Sequence, residues 1–193
     1  MKLFQLNIKT ILFLILLIST QSIIAQRNKV PIEVQTKVIP KILSLNKNIL
    51  STSKSPLNVM IIYSKDQRNS KNIYDNLKNH INNEVNKSNF HNTKFHSFDI
   101  KILKDFRKYI RVNDIRVLYI TPIRGVDISS ITRICREEDV LTITGVEEFK
   151  GNDVSVILGL EKSKLKIMIN PKTAKSEGAD FSSRLLKIAT LID

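Results

Sequence analysis

The chain has 193 residues, with 31 Lys and Arg against 18 Asp and Glu for a net charge of +13, and a single cysteine, Cys135. One thiol excludes an internal disulfide, so stability must come from packing, and the length suits one domain with a real core. The positive balance points to anionic partners, an acidic protein surface or an anionic membrane leaflet; the alternative is that Lys and Asn enrichment reflects base composition and a solvated surface.

Residues 1–25 have the layout of a secretory signal: Lys2 and Lys9 precede an apolar run from Ile11 to Ile18, and a more polar stretch ends at Ala25. Ser19, Thr20, Gln21 and Ser22 interrupt the run before it reaches the ~20 apolar residues of a membrane span. Cleavage after Ala25 is expected, with retention as an N-terminal anchor the alternative, because Ile23 stands where a small residue is usual. No cysteine follows the apolar run to carry a lipid. Export argues against nucleic acid as the anionic partner, and no basic stripe with a stacking motif occurs.

Val34, Val38, Ile42, Leu45 and Ile49 recur at helical spacing, with a helix either starting near Pro40 or kinked by it. Ser51 to Pro56 reads as a turn. LNVMIIYS, from Leu57, is a short β-branched run of the kind buried on both faces of a sheet. Ile73, Leu77 and Ile81 mark a covering helix, and the polar stretch from Asn82 to Lys94 reads mostly as loop. FHSFDIKIL, from Phe95, suggests a second strand. IRVLYIT from Ile115, a helix through Ile128, Ile131, Ile134 and Cys135, and VLTIT from Val140 form a βαβ unit, whose strands must be parallel. A helical turn at 146–149 precedes VSVILGL and KLKIMIN, close enough to form an antiparallel hairpin. Asn170 caps a short helix opened by Pro171 and ended by Gly178. Asp180 or Ser182 caps a last helix with Phe181, Leu185, Ile188, Ala189 and Ile192 on one side. The expected fold is α/β: a single layered domain over residues 26–193, with a mostly parallel central sheet flanked by helices, a C-terminal β-hairpin and a terminal amphipathic helix.

The order IRVLYIT, VLTITGVEEF, GNDVSVIL and KLKIMINPKTAKSEGADFSSRLLKIATLI resembles the YfiR/HmsC group of periplasmic proteins over about the last eighty residues. Asn170, Ala174, Gly178, Ser182, Ser183, Leu185, Leu186, Lys187 and Ala189 carry the likeness. The resemblance implies a regulator that binds the periplasmic part of an inner-membrane diguanylate cyclase and holds it inactive. It departs from the group in lacking an aromatic-Pro pair near the first helix and a double glycine, replaced by Gly151 and Asn152. Paired cysteines of the group are reduced to Cys135, so disulfide switching does not carry over.

No catalytic set is legible, and neither enzyme activity nor a cofactor is expected. Ser182 and Ser183 open a helix rather than sit in a G-x-S-x-G elbow, and no glycine-rich phosphate loop occurs. His80, His91 and His96 lack the spacing and partners of a metal site. Glu137, Glu138, Asp139, Glu147 and Glu148 read as solvated helix ends, and Cys135 as a buried core thiol. The one physical candidate for a site is the carboxyl ends of the parallel strands, where Lys65, Thr121, Arg124 and Thr144 fall together with Ser64. Lys65 and Arg124 there would suit an anionic group, which makes a small anionic-ligand sensor the alternative to a protein-binding regulator. Ordinary strand-to-helix loops are the plainer reading. A homo-oligomer is compatible with the sequence.

Overall fold

The computed structural model describes residues 29–51, 56–85 and 93–193. The expected leader, most of the turn before Pro56 and the middle of the polar stretch after Asn82 lie outside the described residues.

The described residues build one seven-stranded sheet in the order β2-β1-β3-β4-β5-β6-β7. Strand β1 (Leu57–Tyr63) is central in the first half and pairs in parallel with β2 (Thr93–Asp99) on one side and β3 (Ile115–Ile120) on the other. Strands β4 (Leu141–Thr144) and β5 (Val156–Glu161) continue the parallel array, and β6 (Lys164–Ile169) returns antiparallel to β5. The hairpin turns on two residues, Lys162 (φ 49°) and Ser163 (φ 64°), both left-handed as a tight hairpin turn that matches strand twist requires.

Apolar runs become strands here because both faces of the sheet are covered. Val59, Ile61 and Tyr63 enter one core with Val117, Tyr119, Ile143 and Leu158, while Met60 and Ile62 enter the other with Leu118, Ile120 and Ile157. Over the first face lie α1 (Ile32–Leu43), α2 (Lys47–Ser51) and α3 (Arg68–Val85); over the second lie α4 (Phe106–Val112) and α5 (Ile128–Glu137). This division follows from right-handed crossovers. The chain steps outward from β1 to β2 over one face, then steps back across β1 to β3 and on to β4, which puts the later helices on the opposite side.

Pro40 neither starts nor ends its helix: α1 begins at Ile32, after Pro31 at the N-cap, and runs through Pro40 to Leu43. Helix α3 also extends past Ile81 to Val85, into the stretch that reads as loop by composition. Ser44 continues into a tight connection in which Asn46 is buried. Its Oδ1 accepts from the N–H groups of Asn48 and Asp180, each at 3.1 Å, and Asn46 bridges Phe181 antiparallel. Lys47 N–H donates to the Asp180 carbonyl and Ser182 N–H to the Leu45 carbonyl. The first described helices are thereby stitched to the segment that follows α6 (Pro171–Ser176).

The C-terminal punctuation is as expected up to Ser182: Asn170 caps α6 through Thr173 N–H, Gly178 is left-handed (φ +75°), and Ser182 caps α7 (Ser183–Ile188) through Leu185 N–H. The closing helix is shorter than its spacing predicts. Ala189 turns extended, and β7 (Thr190–Leu191) pairs in parallel with Met168 and Ile169. Leu185 is buried on the first face, Ile192 reaches the core of the second, and Ile188 is left 69% exposed. Burial of Ile192 is thus a matter of strand register rather than of helical period.

Candidate functional site

The sheet reverses direction of growth between β1 and β3, so the crevice beyond their carboxyl ends is the place where an open α/β sheet offers a site. Here it is closed by the protein's own hydrogen bonds. Ser64 N–H donates to Ser70 Oγ, Ser70 Oγ lies 2.7 Å from Thr121 Oγ1, and Thr121 Oγ1 donates to the Ile62 carbonyl at 2.8 Å. All three hydroxyl residues are buried. One residue further out, the Gln67 amide pairs with the backbone of Arg124, donating to its carbonyl and accepting from its N–H, both at 2.8 Å.

The structure therefore brings the loop carrying Lys65 and the loop carrying Arg124 together through Gln67. Both basic residues are exposed. Thr121 sits beneath them with its hydroxyl committed, and Thr144 is one strand further along, buried, donating to the Ile120 carbonyl and accepting from Val146 N–H. The two threonines act within the fold; only Lys65 and Arg124 of the four face outward.

Three polar arrangements escape the sequence reading. Glu177 is buried under β4 and the start of β5, where it accepts from Thr142 N–H and from the hydroxyls of Thr142 and Ser155. Burial pushes its carboxyl up to about 8 despite those donors. Glu137 and Glu138 are not simply solvated: Arg107 of α4 binds both, Arg111 binds Glu138, and the Glu138 side chain is nearly buried. Tyr119 donates to Gln35 Oε1 at 2.6 Å, and Gln35 Nε2 donates to the Val30 carbonyl. Gly145 packs so closely on the Gln35 amide that a Cβ there would displace it. Polar letters of this kind look like surface positions until the fold supplies their partners.

Cys135 is fully buried, and burial raises its thiol well above the ordinary range. His80 lies 3.6 Å from Glu33, and His96 hydrogen-bonds Asn58; His91 lies outside the described residues. Among the described residues no group of three or more His, Cys, Asp or Glu is placed to hold a metal, and no helix is long and apolar enough to cross a membrane.

The sheet is covered on both faces, and its switch-point crevice is sealed by internal hydrogen bonds. Solved structures share this α/β fold. A conserved domain protein of Vibrio cholerae O1 biovar El Tor matches with a TM-score of 0.58 at 13% identity, covering 84% of this chain and 60% of its own. The ABC domain of Streptococcus pneumoniae in complex with L-Trp matches with a TM-score of 0.58 at 11% identity, covering 79% and 60%. The chain thus spans about three fifths of the length of these structures. No curated protein matches. The family model described as YfiR/HmsC-like matches residues 51–190, and the chain belongs to that family, whose members are in general periplasmic regulators of diguanylate cyclases.

Proposed function

We propose that this chain is exported, released from residues 1–25, and works as a single domain over residues 26–193 by protein contact alone. It binds the periplasmic part of an inner-membrane signalling protein such as a diguanylate cyclase and holds it inactive. The observation that carries this reading is the family match over residues 51–190. The secretory layout of the first 25 residues and the outward-facing basic charge support it. Deleting the gene in the source bacterium should raise cellular cyclic-di-GMP several-fold. Re-expression of the full chain should restore the level, and re-expression without residues 1–25 should not. An unchanged level on deletion, measured by mass spectrometry under planktonic and surface growth, would overturn the reading.

A second reading rests on Lys65 and Arg124: exposed on two loops tied by Gln67, with neither in an ion pair among the described residues. A small anion held between them would make the chain a ligand sensor. Thermal unfolding against phosphate, sulfate and organic acids should then show a rise in midpoint that Arg124→Ala removes. The same rise in Arg124→Ala, or none in the native protein, would dismiss this reading.

A further inference from the structure

The far edge of the sheet is only half covered. Strand β7 pairs with Met168 and Ile169, so residues 164–167 of β6 have no strand on their outer side among the described residues. Across a two-residue hairpin the pair next to the turn, Glu161 and Lys164, is hydrogen-bonded, and bonding alternates from there. Lys164 and Lys166 therefore turn their backbone groups toward β5, while those of Leu165 and the N–H of Ile167 point outward.

This edge borders a groove of about 680 Å³ whose two walls differ in chemistry. On the first face of the sheet, half-buried Leu165 and Ile167 adjoin Ile188 of α7, 69% exposed, with Leu191 of β7, 54% exposed, in register beside Ile169. The other side of the strand carries Lys164 and Lys166, and Lys162 stands at the turn. Glu161, the one acid lining the groove, is taken by Lys166 at 3.1 Å.

We propose that residues 164–167 of β6, with the neighbouring end of α7, are a strand-docking site for an extended partner segment whose residues alternate apolar and acidic. Main-chain pairing to Leu165 and Ile167 supplies affinity. The period-2 pattern places apolar side chains against Leu165, Ile167 and Ile188 and carboxylates against Lys162 and Lys164. A second copy of this chain is the wrong occupant, because edge-to-edge pairing would bring the same lysines together. The inference rests on the regulator reading above and names the surface it would use.

The probe is a short fluorescein-labelled peptide of alternating Val and Glu, titrated into the purified protein and followed by anisotropy. Saturable binding is expected, weakened about tenfold or more by Lys162→Glu with Lys164→Glu and by N-methylation of alternate peptide amides. Leu165→Pro, which removes an outward N–H without touching the β5 ladder, should do the same; circular dichroism of the charge-reversed protein keeps the test valid if the proline variant misfolds. No saturable binding, equal binding of a Val–Lys peptide, or indifference to both lysine reversals would overturn the proposal, as would a concentration-dependent dimer abolished by the same reversals. In cells, a charge-reversed chain that lowers cyclic-di-GMP as fully as the native one sinks the docking site alone. A native chain without effect sinks the regulator reading whatever the peptide does.

Discussion

Glu177 should contribute a loss of stability as pH rises from about 4.5 to about 8, and Glu177→Gln should remove that contribution. Glu177 has its carboxyl raised from an ordinary 4.5 to about 8 by burial. Because the folded-state value lies above the unfolded one, the folded chain keeps a proton that the unfolded chain has released. The contribution is complete below 4.5, declines across the interval and is absent above 8, at up to about 1.4 kcal/mol per pH unit, a few kcal/mol in all. The neutral acid fits its surroundings: one oxygen accepts from Thr142 N–H and Ser155 Oγ, and the Thr142 hydroxyl, which donates to the carboxylate, can turn to accept the proton of the other oxygen. An amide has the same shape and charge, so Glu177→Gln should match the native protein near pH 4.5 and exceed it at pH 8. Denaturant titrations of both proteins at each pH isolate this group, since the contributions of Glu137 and Glu138, whose carboxyls Arg107 and Arg111 hold low, cancel in the difference. Parallel curves would show that the buried site is not protonated in the folded state.

Replacing Asn46 by Ala should cost on the order of 2–4 kcal/mol, because it removes the acceptor of two N–H groups in a buried seam. Little apolar area changes, so the loss would come from unsatisfied donors rather than from a cavity. Amide hydrogen exchange should locate it: the Asn48 and Asp180 amides should exchange faster out of proportion to global stability, while amides of β1 and β3 follow the global value. A change below about 0.5 kcal/mol would mean that water or a shift of the chain replaces the Asn46 oxygen.

Central elements were legible because their signals are local. β1, β3 and β4 are short β-branched runs, the hairpin is two such runs separated by a tight turn, and Asn170-Pro171 with Gly178 brackets α6. Where a position takes its meaning from a distant partner, composition misleads. Ile192 sits at helical spacing from Leu185 yet belongs to the opposite core, because pairing with β6 outcompetes one more helical turn. Asn46, Glu177 and Gln35 carry no local signal, and their roles depend on groups up to 134 residues away. At the candidate site, the placement of Lys65, Thr121, Arg124 and Thr144 at strand ends was legible from the strands. The sealing of the crevice was not, since Gln67 and Ser70 are unremarkable polar residues until β1 and β3 lie side by side. The open edge of β6 could be inferred only once the terminal residues were seen to cover two positions and leave four.

The seam through Asn46 also bears on when the molecule can close. Helices α1 and α2 come early in the described chain, but the backbone groups that seat them belong to residues 180 and 182. Until residues 180–182 are in place, the first face of the sheet lacks its latch, so the domain can close only after almost the whole described chain is available.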